Sequence, residues 1–140
     1  MKISARCEYA CRALLELALH WPKRVPLQIQ AISSRQNIPM RYLVHILIQL
    51  KRAGFVESVR GKEGGYNLAK SPNRIKLGEV VREMGGALGV RAGQNKKKNS
   101  IFLSVWTEAG DAVSRVFNKT SLEDIRDRVN GVEEAILYQI

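Results

Sequence analysis

Cysteine is nearly missing from this 140-residue chain: only Cys7 and Cys11 occur, four residues apart. A pair so placed builds no disulfide framework and implies a reducing, cytoplasmic setting. Two thiolates alone also leave a zinc ion short of ligands, so no metal site is expected. Histidine is as scarce. His20 and His45 fall in helical patterns without a nucleophile or carboxylate constellation, and no glycine-rich phosphate-binding motif occurs. An enzyme is therefore not expected. Long hydrophobic runs are absent, and nothing approaches the roughly 18 apolar residues that cross a bilayer. The opening MKISARCEYACRALLELALHW is broken by Arg6, Glu8, Arg12 and Glu16. That pattern predicts an amphipathic helix rather than a signal peptide, and no membrane partner.

Acidic residues are sparse in one half only. Residues 1–90 hold 15 Lys/Arg against 6 Asp/Glu, whereas residues 91–140 hold 8 against 7. Nearly all of the +10 net charge therefore lies in the first part, as a polyanion-binding half requires. Apolar content of 45% and a mean hydropathy of −0.20 are ordinary for a globular protein. The length suits one domain, or one domain plus an arm.

What is present centres on Leu27–Ala69. The short apolar-periodic LQIQAISSRQ ends at Asn37, a residue that tolerates the left-handed conformation closing a helix. Pro39 then suits the first position of the next helix. There Leu43, Ile46, Leu47 and Leu50 recur at helical spacing, up to a stop at Gly54. Two strand-like runs, FVESVR and YNLAK, flank a glycine-rich turn, and Val25–Leu27 offers a short third strand. Helix, turn, helix and basic hairpin make the winged-helix layout, whose usual work is duplex DNA binding. With the leucine face buried, Met40, Arg41, Val44, His45 and Ile48 lie elsewhere on the recognition helix. Arg41 reads guanine or binds phosphate, Val44 contacts thymine methyls or fills space, and His45 reads a base or is simply solvated. Backbone contacts are expected from Ser4, Arg6, Tyr42, Lys51 and Lys62, with Ser4 also the N-cap of the first helix. Arg60 beside Gly61 at the wing is placed to enter a minor groove. Tyr66 is expected to anchor the hairpin against the recognition helix.

The expected fold class is mainly α with a small β-hairpin wing: a winged helix-turn-helix at 1–84, a flexible basic loop at 85–99, and a dimerisation helix with C-terminal segment at 100–140. The loop carries Lys96-Lys97-Lys98, which touch DNA backbone or are solvated. In the long helix Phe102, Val105, Trp106, Ala109, Ala112, Val113, Val116 and Phe117 form one broad apolar stripe. A stripe that wide with no second domain to cover it predicts a homodimer, which would set two recognition helices in successive major grooves of a palindrome. Thr120–Asp124 reads as the cap and acidic first turn of a short helix ending at Gly131, with an apolar tail beyond.

These residues resemble the Rrf-two family of bacterial winged-helix regulators, which includes the IscR, NsrR and CymR types. The likeness rests on MKIS and Tyr9-Ala10, NIPMRYLVHILIQLKRAGFVESVRG, the GGYNLAK wing and IKLGEVVREMGG, and extends over nearly the whole chain. It implies a homodimeric transcription factor, with Arg41 and Val44 where members place base-contacting residues and Arg60 at the wing arginine. Many members have Glu where Val44 stands. Cluster-binding members carry three cysteines in the stretch matching Gly86–Phe102, and this chain has none there, so no iron–sulfur cofactor is expected. The signal is then a small-molecule effector, a protein partner, or thiol oxidation at Cys7 and Cys11. Alternatives are a redox or metal sensor using those cysteines, which the first helix otherwise buries as small core residues, or a non-specific nucleic-acid-binding protein.

Overall fold

The structure is a computed structural model that describes residues 2–22, 25–85 and 101–139. The chain begins with α1 (Ala5–Leu19), capped by Ser4, whose Oγ accepts from the Cys7 N–H at 3.1 Å. Its buried side, Cys7, Ala10, Ala13, Leu14, Leu17 and Ala18, sits at the centre of the core. Small residues dominate that side, so neighbouring helices approach closely. Glu16 is buried as well, and its carboxylate accepts from Gln36 Nε2 at 2.7 Å and lies 3.4 Å from Arg35 Nη1. A buried carboxylate without such partners would destabilise the fold.

Next come α2 (Ile29–Gln36) and α3 (Met40–Arg52). Asn37 closes α2 at φ 52, in the left-handed region as its side chain allows. Pro39 precedes α3 as its N-cap at ψ 130 instead of occupying the first helical position. An extended residue before Met40 lets the chain turn sharply between the two helices. Leu43, Ile46, Leu47 and Leu50 are all buried, each contributing about 1.5–3 kcal/mol by leaving water. Gly54 at φ 86 ends the helix region and turns the chain into β1 (Val56–Val59).

β1 pairs antiparallel with β2 (Gly65–Leu68), Val56 opposite Leu68 and Val59 opposite Gly65. The expected third strand is a single bridge: Leu27 and Tyr66 exchange backbone hydrogen bonds at 2.9 and 2.8 Å. Gly65 makes this approach feasible, since a Cβ there would lie 2.3 Å from the Leu27 carbonyl oxygen. Tyr66 is half-buried against the core. A 3-10 turn at Pro72–Arg74 leads to α4 (Leu77–Glu83).

The long helix α5 spans Leu103–Lys119, and no residue of it is buried. Ser121 and Asp124 form a reciprocal capping box at the start of α6 (Leu122–Tyr138). The expectation of a short helix ending at Gly131 is corrected here: α6 runs straight through that glycine. A mid-helix glycine costs only about 1 kcal/mol relative to alanine, and the good helix formers of VEEAILY outweigh it. Two backbone bonds, Leu77 N–H to Thr120 O at 2.9 Å and Leu122 N–H to Ile75 O at 2.8 Å, join α6 to the winged helix. The basic loop expected at 85–99, Lys96-Lys97-Lys98 included, lies outside the described residues except for Gly85.

Candidate nucleic-acid interface

α3 divides cleanly into two faces. Opposite its leucine face, Met40, Val44 and Ile48 stand 39–40% exposed, alongside exposed Arg41 and His45. Apolar side chains held in water on a helix that also carries cations suit a groove wall displaying thymine methyls and guanine acceptors. α3 has no side-chain cap, and its Tyr42 and Leu43 N–H groups donate to the Pro39 carbonyl at 3.0 and 3.1 Å. Beside it an open cleft of about 730 Å³ separates α3 from the start of α1, lined by Ala5, Arg6, Tyr9, Tyr42, His45 and Ile46.

The expected backbone contacts fare differently. Tyr42 is 46% exposed and stacks on Tyr9, with ring centroids 6.1 Å apart. Arg6 is engaged by Gln49 of α3, which in turn donates to the Glu83 carbonyl at 2.8 Å. Lys51 Nζ donates to Ser58 Oγ at 2.6 Å, pinning α3 to β1. Ser4 uses an oxygen lone pair at the helix cap. At the wing Arg60 and Lys62 are both exposed, and the Lys62 carbonyl accepts from Gln28 Nε2 at 3.4 Å, tying the wing to the start of α2. Arg41, Val44, His45 and Tyr42 thus share one surface, with Arg60 and Lys62 on the hairpin that follows it in the chain. Tyr9, Arg12, Gln28 and Gln49 complete the site, and sequence patterns did not single them out for it. Tyr9 stacks on Tyr42, and the hydrogen-bond partners of the other three lie 24 to 43 residues away, beyond the reach of local spacing.

The cysteines are part of the interior. Cys7 is 1% exposed, and Cys11 lines a cavity of about 300 Å³ with it, against Leu77, Phe117 and Leu122. Burial, reinforced by the neighbouring Cys7, pushes the Cys11 thiol up to about 12. Burial also raises Cys7, a hydrogen bond with Cys11 offsetting part of the effect. Both are thiols at neutral pH, which favours the core role over a poised nucleophile. Among the described residues no group of three or more His, Cys, Asp or Glu is placed to hold a metal ion.

The proposed dimer stripe is open along much of its length. Phe102, Val105, Trp106 and Val116 are exposed, Trp106 by 42%, and Phe102 stacks on Trp106 at 5.9 Å. Ala109, Ala112 and Val113 are half-buried, and Phe117 packs against the chain's own core. No helix of the described residues is long and apolar enough to cross a membrane.

Residues 3–128 match the Rrf2 family, described as an iron-dependent transcriptional regulator. The helix-turn-helix transcriptional regulator CymR of Bacillus subtilis is 31% identical over 143 aligned positions, spanning the whole of both chains. IscR of Pectobacterium carotovorum, a regulator of the same type, is 29% identical over 130 positions, covering 89% of this chain and 79% of its own. The solved structure of B. subtilis CymR, the global cysteine regulator of that organism, is similar at a TM-score of 0.84 and 29% identity. It matches 91% of this chain and 98% of its own.

Proposed function

The chain belongs to the Rrf2 family of transcriptional regulators, and from that premise we propose that it works in the bacterial cytoplasm as a two-fold dimer on a palindromic operator. Arg41, Val44 and His45 read base edges in the major groove, and Arg60 enters the adjacent minor groove. Tyr42 and Lys62 position the protein on phosphates, joined by Ser4, Arg6 and Lys51 once their side chains swing from their present partners. The exposed apolar-and-cationic face of α3 carries this reading. The protomers pair through α5, chiefly Phe102, Val105, Trp106 and Val116, with Ala109 and Val113 behind them. Phe117, half-buried against its own core, contributes its exposed part.

We infer further that no iron–sulfur cluster is bound. Clusters are held by about four ligands, mostly thiolates, and the only two cysteines here sit one turn apart on α1, Cys7 buried and Cys11 half-buried. The donor set does not fit the group. The same burial argues against a thiol-based redox or metal sensor and leaves a small molecule or a partner protein as the signal.

Selection of bound fragments from the source genome, at physiological salt and under reducing and oxidising conditions, tests this. Enrichment of one two-fold site, indifferent to mild oxidation, is expected. Salt-sensitive binding without a preferred site would replace the reading with non-specific nucleic-acid binding. Loss of the site on mild oxidation would restore the cysteine sensor.

A further inference from the structure

We propose that Tyr9, on the helix that stays outside the groove, is a specificity-determining positioning residue that sets the pose of Arg41. The proposal rests on Arg41 reading a base. Four side chains form a ladder. The Arg41 guanidinium carbon lies 4.8 Å from the Tyr42 ring centroid. The Tyr42 ring stacks on Tyr9 at 6.1 Å with 21° between planes. The Arg12 guanidinium carbon lies over the Tyr9 ring, 5.2 Å from its centroid. Arg12 Nη2 in turn donates to the carbonyls of Gln36 and Asn37, at 2.5 and 3.1 Å, where α2 ends. The ladder therefore runs from the C-terminus of α2, across α1, to the first turn of α3.

Consecutive residues on a helix do not face each other, so Arg41 meets the Tyr42 ring only by folding back across it. That pose needs a ring that stays put. Tyr42 is 46% exposed and on its own would visit several rotamers. Tyr9 restrains it, and Tyr9 is itself half-buried against the core and held under Arg12. The carbonyls that anchor Arg12 are the negative end of α2, so the last rung is charge-assisted.

The consequence falls on discrimination more than on affinity. A loosely held arginine still finds a phosphate, because phosphates line the whole groove. Meeting the paired acceptors of one guanine requires a fixed direction, and preorganisation reduces the rotamer freedom lost on doing so. Tyr9 thus acts on sequence reading through Tyr42 and Arg41 without touching a base.

Tyr9→Leu keeps apolar bulk and removes the ring, whereas Tyr9→Phe keeps the ring. The measurement is the ratio of affinities for the enriched operator and for the operator changed at the base pair read by Arg41. Tyr9→Leu is expected to lower that ratio about fivefold, the weight of one exposed cation–π contact. Affinity for random duplex and the salt slope should hold, and Tyr9→Phe should retain the ratio. In an Arg41→Ala background Tyr9→Leu should change nothing further. If Tyr9→Leu melts early, Tyr42→Leu on the exposed rung makes the test on the ratio alone, because loss of its phosphate contact lowers affinity for every duplex alike. A wild-type ratio in both leucine variants, or an equal loss on every sequence, overturns the proposal. An unchanged ratio in Arg41→Ala alone removes the base-reading premise, and the proposal with it.

Discussion

Replacing Trp106 with alanine should break the dimer without unfolding the protomer. Trp106 lies on α5 with 42% of its surface exposed and Phe102 stacked beside it. A tryptophan side chain spans up to about 250 Å², so the open part is about 100 Å². Covering it in a partner protomer contributes about 2.5 kcal/mol at about 25 cal/mol per Å². A two-fold interface repeats each contact, which brings the loss to about 5 kcal/mol per dimer. That is a weakening of more than about a thousandfold in the dimer dissociation constant. Light scattering and sedimentation over a dilution series would read it directly. Thermal unfolding at a concentration where both proteins are monomeric should be nearly unchanged, because no residue of α5 is buried in the protomer. A dissociation midpoint that moves less than tenfold would place the interface elsewhere.

Other outcomes follow from single contacts. Arg60→Ala should weaken operator binding about tenfold, ~1.4 kcal/mol, and flatten any preference for A·T-rich flanks in a mobility-shift panel. An equal, small loss on all duplexes would make Arg60 a phosphate contact. Gly65→Ala should cost about 1–3 kcal/mol in denaturant unfolding, since a Cβ 2.3 Å from the Leu27 oxygen breaks the two hydrogen bonds to Tyr66. Unchanged stability would mean that the strand yields at no cost. Cys11 should resist alkylation at pH 8 in the native state and react readily in denaturant. Its thiol stands at about 12 in the fold against 9.0 ordinarily, so the related stability is fully present below pH 9 and is lost as pH rises from 9 toward 12. Fast native labelling at pH 8 would reopen the redox reading.

The winged-helix half was legible because its signals are local. The Leu43, Ile46, Leu47 and Leu50 spacing, Asn37 at the turn and Gly54 at the stop each act within a few residues, and the structure realises all three. Gly131 misled for a related reason. Glycine often ends a helix, yet in an otherwise favourable sequence its penalty is small, so α6 continues. Pro39 shifted by one position, since the N-cap tolerates its geometry as readily as the first helical turn does. The interface was only half legible. Exposure of Arg41, Val44 and His45 follows from the burial of the leucine face. The pairing of Arg6 with Gln49, or of Arg12 with the end of α2, depends on how helices distant in sequence are packed. No periodicity encodes that packing. The apolar stripe of α5 was visible in sequence, but the packing of half-buried Phe117 against its own protomer's core was not.

The central claim is that two copies of α3 read two half-sites from one face of the duplex. Inserting five base pairs between the half-sites of the enriched operator tests it, because half a helical turn carries one half-site to the opposite face. Affinity is expected to fall to that of an isolated half-site, and inserting ten base pairs to leave it higher than inserting five. Affinity indifferent to both insertions would contradict it, and would mean that each protomer binds alone.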